Sequence, residues 1–347
     1  MNGSSVLVTG ASGFAAEHLI PLLRSAGYTV VGLDRKDAPS ADCDLFISCD
    51  LADAEETAAK IPAVDIVIHM AAARADWGVS DYEFERDNVV ATNSLLSAID
   101  IERLRTFIFV SSISVMPQNT NAILDESAPY EPINVYGDTK MRAELACESF
   151  FCGFPKVDTV IVRPSVLYGG SDPQKTGIYR AADNNIFRLI DGIYNGRFVM
   201  VGDGTIVKTT AYVKNFCEAL LFIISRVHGR KIFVYADYPP RKLADIVQII
   251  CGVLERRKPI RMPFVLVFNV AKFFDFFSKK LNVNFPINSS RVETFTRPTN
   301  FRPSNLIELG FEPPVNTKEA LEATVHWYID LRKSSSENFF NFRENRS

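Results

Sequence analysis

Residues 6–19, VLVTGASGFAAEHL, constrain the fold more than any other stretch of this chain. Val6, Leu7 and Val8 form an apolar run of the kind buried on both faces of a parallel sheet. Gly10 and Gly13 then break it before a helix that carries Leu19, Leu22 and Leu23. A strand that turns this sharply into a helix leaves backbone N–H groups bare beside the helix N-terminus, where they and the helix dipole attract a phosphate. The spacing is G-x-x-G-x-x-A through Gly10, Gly13 and Ala16, not the G-x-G-x-x-G of the commonest dinucleotide fingerprint, so the turn needs support from the rest of the chain.

That support is a repeated unit. YTVVGLD, CDLFISCDL, VDIVIHMAA, RTFIFVSS and DTVIVRPS read as further strands, with helical stretches at 52–61, 81–100 and 136–152 between them. Strand alternating with helix predicts an α/β fold, a Rossmann-type doubly wound parallel sheet whose ligand crevice lies beyond the carboxyl ends of the strands. Gly10, Asp34, Asp50, Ala71, Ser111 and Pro164 all stand at such ends. Past residue 168 the alternation loosens at Gly169, Gly170 and Pro173 and again at Gly202 and Gly204, which marks a smaller, mixed C-terminal lobe; KIFVYAD at 231–237 returns to the first sheet. The expected division is a nucleotide-binding domain of residues 1–168 plus about 207–237, a substrate lobe of 169–206 plus about 238–333, and a flexible tail at 334–347.

Bulk properties remove several classes. Lys and Arg number 38 against 41 Asp and Glu, a net charge of −3, so there is no broad basic field for nucleic acid and a small-molecule substrate is expected. MNGSSVLVTG lacks the basic segment, apolar run and cleavage site of a secretory signal, which predicts a cytoplasmic protein. The six cysteines have no C-x-x-C spacing and the four histidines no ligand spacing, so reduced thiols and no metal are expected.

Asp34 follows the glycine turn at the distance where a carboxylate accepts both ribose hydroxyls of an adenosine and repels a 2′-phosphate; Arg35 and Lys36 beside it would tolerate that phosphate. NAD is therefore expected, with NADP as the second choice. Tyr136 and Lys140 in VYGDTKMRAE share one helix face, where an ammonium would lower the phenol's pKa and make Tyr136 a usable acid and base. Ser112, at the end of FIFVSS, can bind the same substrate oxygen.

With these residues in place, the chain resembles the extended short-chain dehydrogenases/reductases, in particular the NAD-dependent epimerase/dehydratase group. The likeness runs through T-G-x-x-G-F at 9–14, D-L at 50–51, H-x-A-A at 69–72, N-V-x-x-T-N at 88–93, Ser111-Ser112, Y-x-x-x-K, R-P-S-x-L-Y-G at 163–169 and G-D-G at 202–204. It implies Ser112, Tyr136 and Lys140 as catalytic residues. It also implies cofactor contacts at Gly10, Ser12, Gly13, Phe14, Ala15, Asp34, Arg35, Asp50, Leu51, Ala71, Ala72, Ala73, Asn88, Ser111, Tyr136, Lys140, Pro164, Ser165 and Val166. Ala16 replaces the usual third glycine, Met116 and Pro117 replace a tyrosine and a glycine, and Asn215 stands for an aspartate, which we read as a changed structural hydrogen bond. Ile113 and Ser114 occupy the places of the dehydratases' Asp-Glu pair, which disfavours water elimination.

The resemblance favours an epimerase that transiently oxidises a sugar hydroxyl, with Arg197, Lys208, Arg291 and the run ERRKPIR at 255–261 as cations for a nucleotide diphosphate. The rival is a dehydrogenase of a greasy alcohol such as a 3β-hydroxysteroid, supported by the Phe-rich stretch 263–281, which is too interrupted to span a membrane but could meet its surface, line an apolar pocket, form a subunit contact or be buried in the second lobe. A non-catalytic NAD sensor is a third reading, which an intact Ser112, Tyr136 and Lys140 argues against. The resemblance further suggests a homodimer through helices 81–100 and 136–152.

Overall fold

A computed structural model describes residues 3–74, 78–118, 120–171, 185–281 and 296–334, with 274–281 described as backbone. Strands β1 (Ser5–Thr9), β2 (Thr29–Asp34), β3 (Leu45–Ser48), β4 (Ile66–His69), β5 (Thr106–Val110) and β6 (Asp158–Pro164) alternate with helices α1 (Phe14–Ser25), α2 (Ala54–Lys60), α3 (Asp81–Phe84), α4 (Ala91–Ala98) and α5 (Val135–Cys152). After β6 come β7 (Val166–Tyr168), α6 (Asn185–Tyr194), β8 (Met200–Val201), β9 (Val207–Lys208), β10 (Thr210–Tyr212), α7 (Val213–Arg226) and β11 (Arg230–Tyr235). The chain continues through β12 (Arg241–Lys242), α8 (Leu243–Val253), β13 (Arg261–Met262), α9 (Phe264–Leu281), α10 (Ser304–Glu308) and α11 (Thr317–Ser334).

Seven strands form one parallel sheet in the order β11-β6-β5-β4-β1-β2-β3, so the return at 230–235 is its outer strand beside β6. Val6 and Val8 lie in the core on one side of the sheet with α1 and α7, and Leu7 lies in the core on the other with α4 and α5. An apolar run buried on both faces is what its sequence requires. A separate core gathers α6, α8 and α11 around Phe187, Ile190, Ile246, Ile250, Leu321 and Tyr328.

One element departs from expectation. The stretch 81–100 is not a plain helix: α3 and α4 flank a π-helical turn at Glu85–Val90. A widened turn of this kind resets the direction of the residues on it, and Arg86, Asp87 and Asn88 stand there. Pro173, Arg291 and the tail from 335 lie outside the described residues.

Candidate active site

Because the sheet is parallel, Gly10, Asp34, Asp50, Ala71, Ser111 and Pro164 come to the same edge. Gly10 has φ of 72° and no room for a side chain, since a Cβ would stand 2.9 Å from the Ala71 nitrogen. A Cβ on Gly13 would stand 2.9 Å from the Gly10 carbonyl, which already accepts the Gly13 N–H at 2.8 Å. Gly13 caps α1 with no side-chain acceptor, and the acidic residue of that first turn is Glu17. Phe14 and Ala16 are buried behind the turn, and Ala15 is half-buried. The Ser12 N–H donates to one Asp34 oxygen at 3.0 Å and the Lys36 N–H to the other at 3.1 Å, which fixes the Asp34 carboxylate at the end of β2.

Arg35 pairs with Asp87 at 2.8 Å, Asp87 with Arg86 at 2.6 Å, and Arg86 reaches Asp50. Burial pushes the Asp50 carboxyl up, but the Ala52 N–H and the Arg86 guanidinium outweigh it and hold the group below its usual range. Leu51 beside it is buried. This chain of charges from Arg35 to Asp50 was not foreseen, because the π turn that presents Arg86 and Asp87 has no signature in the sequence.

Behind the crevice a buried polar network joins the motifs. The Thr9 hydroxyl accepts the Met70 and Ala71 N–H groups at 3.2 and 3.1 Å and stands 2.7 Å from His69 Nδ1. Thr92 donates to the Asn88 carbonyl at 2.6 Å and stands 3.0 Å from His69 Nε2. With both N–H groups on Thr9, its proton goes to Nδ1, so the His69 ring is neutral and carries its hydrogen on Nε2. Burial, with the Lys140 charge second, takes the pKa of His69 down to about 3. Asn88, fully buried, accepts the Ala73 N–H at 2.8 Å and donates to Thr139 at 3.0 Å, tying the 71–73 loop to α5. Its side chain is thus committed inside the protein; Ala71 and Ala72 remain partly open to the crevice.

On the opposite wall Tyr136 stands near Ser112, whose hydroxyl lies 3.1 Å from that of Ser114. Their approach depends on Gly137, since a Cβ there would run into the Ser114 carbonyl; the sequence reading missed this glycine, whose only signal is its place in the first turn of a helix. Lys140 is buried, donates to the Val110 carbonyl at 2.8 Å and lies 4.1 Å from the centre of the Phe109 ring. Burial pulls its ammonium down to about 8, with Glu144 opposing. The expected lowering of the phenol by Lys140 is not seen. Burial raises the Tyr136 pKa, and what acts against burial is the nearby Ser112 hydroxyl and the charge of Arg74, a residue the sequence reading passed over. The ammonium is turned to a carbonyl and a ring face instead.

Ser111 is buried and its hydroxyl has no hydrogen-bond partner among the described residues. Ser165 is bound into the sheet through Tyr235 and Thr209, Pro164 is buried and Val166 is exposed. In the second half of the chain, Lys208 donates to the Arg297 carbonyl at 2.5 Å, and burial together with the Arg297 charge takes it down to about 8. Arg241 stands opposite Lys208 across the β9–β12 pair, with its Nε buried and without a partner. Arg197 is exposed on the turn after α6. Asn215 clamps the Val315 backbone through both amide atoms, at 2.6 and 3.2 Å. Among the described residues no group of His, Cys, Asp and Glu is arranged to hold a metal, and no helix is long and apolar enough to cross a membrane.

A glycine cradle with no room for a Cβ, an orphaned Ser111 hydroxyl and a Ser–Tyr pair at one sheet edge fit a dinucleotide and define a redox enzyme of the extended short-chain dehydrogenase type. The profile of the NAD dependent epimerase/dehydratase family matches residues 6–235, and the chain belongs to that family. It is 27% identical over 334 residues to the N-acetyl-alpha-D-glucosaminyl-diphospho-ditrans,octacis-undecaprenol 4-epimerase of Escherichia coli O157:H7, covering 95% of this chain and 97% of that one. It is 27% identical over 358 residues to the human dTDP-D-glucose 4,6-dehydratase, covering 97% and 91%. Its fold matches the UDP-N-acetylglucosamine 4-epimerase of Methanobrevibacter ruminantium M1 solved with UDP-N-acetylmuramic acid (TM-score 0.73, 23% identity, 95% and 100% covered). It matches equally the UDP-glucuronic acid 4-epimerase of Bacillus cereus solved with NAD (TM-score 0.73, 21% identity, 96% and 99% covered).

Proposed function

We propose that the protein is an NAD-dependent nucleotide-sugar 4-epimerase. The observation that carries this reading is the Tyr136–Ser112 pair at the crevice with Ile113 and Ser114, not carboxylates, beside it. Tyr136 takes the proton of the sugar hydroxyl as the carbon is oxidised and returns it when the ketone is reduced; Ser112 holds the same oxygen. The Ser112 hydroxyl and the Arg74 charge act for the phenolate against burial. NAD bound at the strand ends would supply the hydride acceptor and donor for the two half-reactions. Gly10, Ser12, Gly13, Phe14 and Ala15 would hold its pyrophosphate, Asp34 with Arg35 its adenosine ribose, and Asp50 and Leu51 its adenine. Ala71 to Ala73, Ser111, Lys140 and Pro164 to Val166 would line the rest. Asn88 acts as a positioning residue through Ala73 and Thr139.

Lys208, Arg241 and Arg197 would receive the diphosphate in the substrate lobe, whose separate apolar core supports the proposed division of the chain. Exposed Tyr82, Val90 and Leu145 on the helices at 81–98 and 135–152 support a homodimer through that face. Six free cysteines suit a reducing cytoplasm. The relative from E. coli bears its sugar on a polyprenyl diphosphate by its name, so the diphosphate, whichever carrier bears it, is the group this reading gives to the cations.

The test is to denature the purified protein, identify the dinucleotide released, and follow UDP-N-acetylglucosamine and UDP-glucose by NMR. Bound NAD with C4 inversion and no net NADH supports the reading. Net NADH formation from an apolar alcohol, with every sugar left unchanged, overturns it.

A further inference from the structure

Of the stretch 263–281 left open by the sequence, residues 263–273 have described side chains, and most of them are exposed or half-buried. Among the described residues, exposed large apolar side chains cluster in a short run: Ile260 at 77%, Val265 at 67%, Phe273 at 61%, with Phe264, Leu266 and Val270. Helical spacing puts Val265, Leu266 and Phe273 on the outer side of α9, while Ala271, fully buried, faces inward. Lys and Arg outnumber Asp and Glu seven to two over residues 255–280, in a chain whose net charge is −3. Arg256, Arg257 and Lys258 are exposed, and none pairs with a carboxylate among the described residues.

We propose that this surface binds the face of an anionic lipid bilayer, with α9 lying in the interface. An exposed apolar helix face with a run of exposed cations just before it in the chain, in a helix that does not span, is what such docking needs. A second copy is the poorer occupant, since a two-fold contact would bring two cationic runs together. The segment is also tied to the substrate lobe: Met200 and Gly202 donate to the carbonyls of Ile260 and Met262 at 2.9 and 2.8 Å, on the path that leads to Lys208. Docking stands apart from the epimerase reading. Where that reading also holds, docking would bring the diphosphate cations to a surface where lipid-borne sugar diphosphates reside.

The test is flotation of the purified full-length protein with vesicles of phosphatidylcholine alone and with added phosphatidylglycerol, at low and high salt. The expected result is flotation with the anionic vesicles, weakened by salt and cut about fivefold for each charge removed in Arg256→Gln, Arg257→Gln and Lys258→Gln. Val265→Glu with Phe273→Glu should abolish it while leaving the bound dinucleotide and the folding midpoint unchanged. Failure to float with either vesicle overturns the proposal. So does flotation of the double variant at the wild-type level, or a double variant that only changes the oligomer on gel filtration. None of these outcomes depends on catalysis.

Discussion

The two halves of the crevice treat their polar groups in opposite ways. On the sheet side, the Ser111 hydroxyl apart, they are bonded to one another: Thr9, His69, Thr92, Asn88 and Thr139 form a buried chain, and Arg163, buried, makes a 2.7 Å bond to Glu144. On the lobe side Arg241 has a buried nitrogen with no partner among the described residues, and Lys208 donates to the Arg297 carbonyl as one of its contacts. A site that repeats one reaction on a fixed cofactor gains from groups that cannot move, whereas cations meant for a substrate's anion must stay available. Substitutions on the sheet side should therefore damage turnover, and those on the lobe side should damage substrate binding.

Tyr136→Phe should give the largest effect. It removes the proton carrier and leaves the fold, so kcat should fall by about a thousandfold with the released dinucleotide unchanged. Single-turnover reduction of the bound cofactor reads this directly, and a loss of under tenfold would move the acid/base role to another group. Gly137→Ala comes next. Its Cβ meets the Ser114 carbonyl, so α5 must shift and carry Tyr136 from Ser112; a displacement near 1 Å costs about a hundredfold in kcat. Unaltered kcat in this variant would mean that the Ser112–Tyr136 contact is dispensable.

These two residues differ in how readable they were. Tyr136 and Lys140 could be found because helix spacing turns a sequence interval into a shared face, and the strand ends because a parallel sheet gathers them at one edge. Gly137 could not be found, since its need arises from a loop more than twenty residues upstream. Nor could the π turn at 85–90, which tertiary bonds from Asn88 to Ala73 and Thr139 hold in place. The raised pKa of Tyr136 follows from burial, which no spacing discloses.

His69 makes the sheet side sensitive to acid. Its pKa is about 6.5 unfolded and about 3 folded, so the folded form refuses a proton that the unfolded chain accepts. This contribution is intact above pH 6.5 and is lost as the pH falls toward 3, by about 2 kcal/mol near pH 5. Urea unfolding at several pH values should show the slope in the wild type and lose that part of it in His69→Gln; equal slopes would mean that the ring is protonated in the fold. On the lobe side Lys208→Ala should raise KM for a UDP-sugar about tenfold with little change in kcat, one charged hydrogen bond being at stake. A fall in kcat with KM unchanged would place Lys208 with the chemistry instead.

The smallest effect lies at the boundary between the halves. Arg35 follows Asp34, which the proposed reading sets against a 2′-phosphate, yet its guanidinium is the natural partner for one, and Asp87 holds it at 2.8 Å. The Arg35 side chain is 57% exposed, so its pair with Asp87 contributes no more than an ordinary surface ion pair. Asp87→Asn frees the guanidinium and leaves Asp34 in place, so the ratio of NADP to NAD affinity should rise about threefold, measured by titrating both dinucleotides into the stripped protein. No change would leave cofactor choice with Asp34 alone. A rise far above threefold would mean that the Arg35–Asp87–Arg86–Asp50 chain acts as a unit, giving selectivity to the π turn that presents Asp87 and extending the bonded half of the crevice to the cofactor's outer rim.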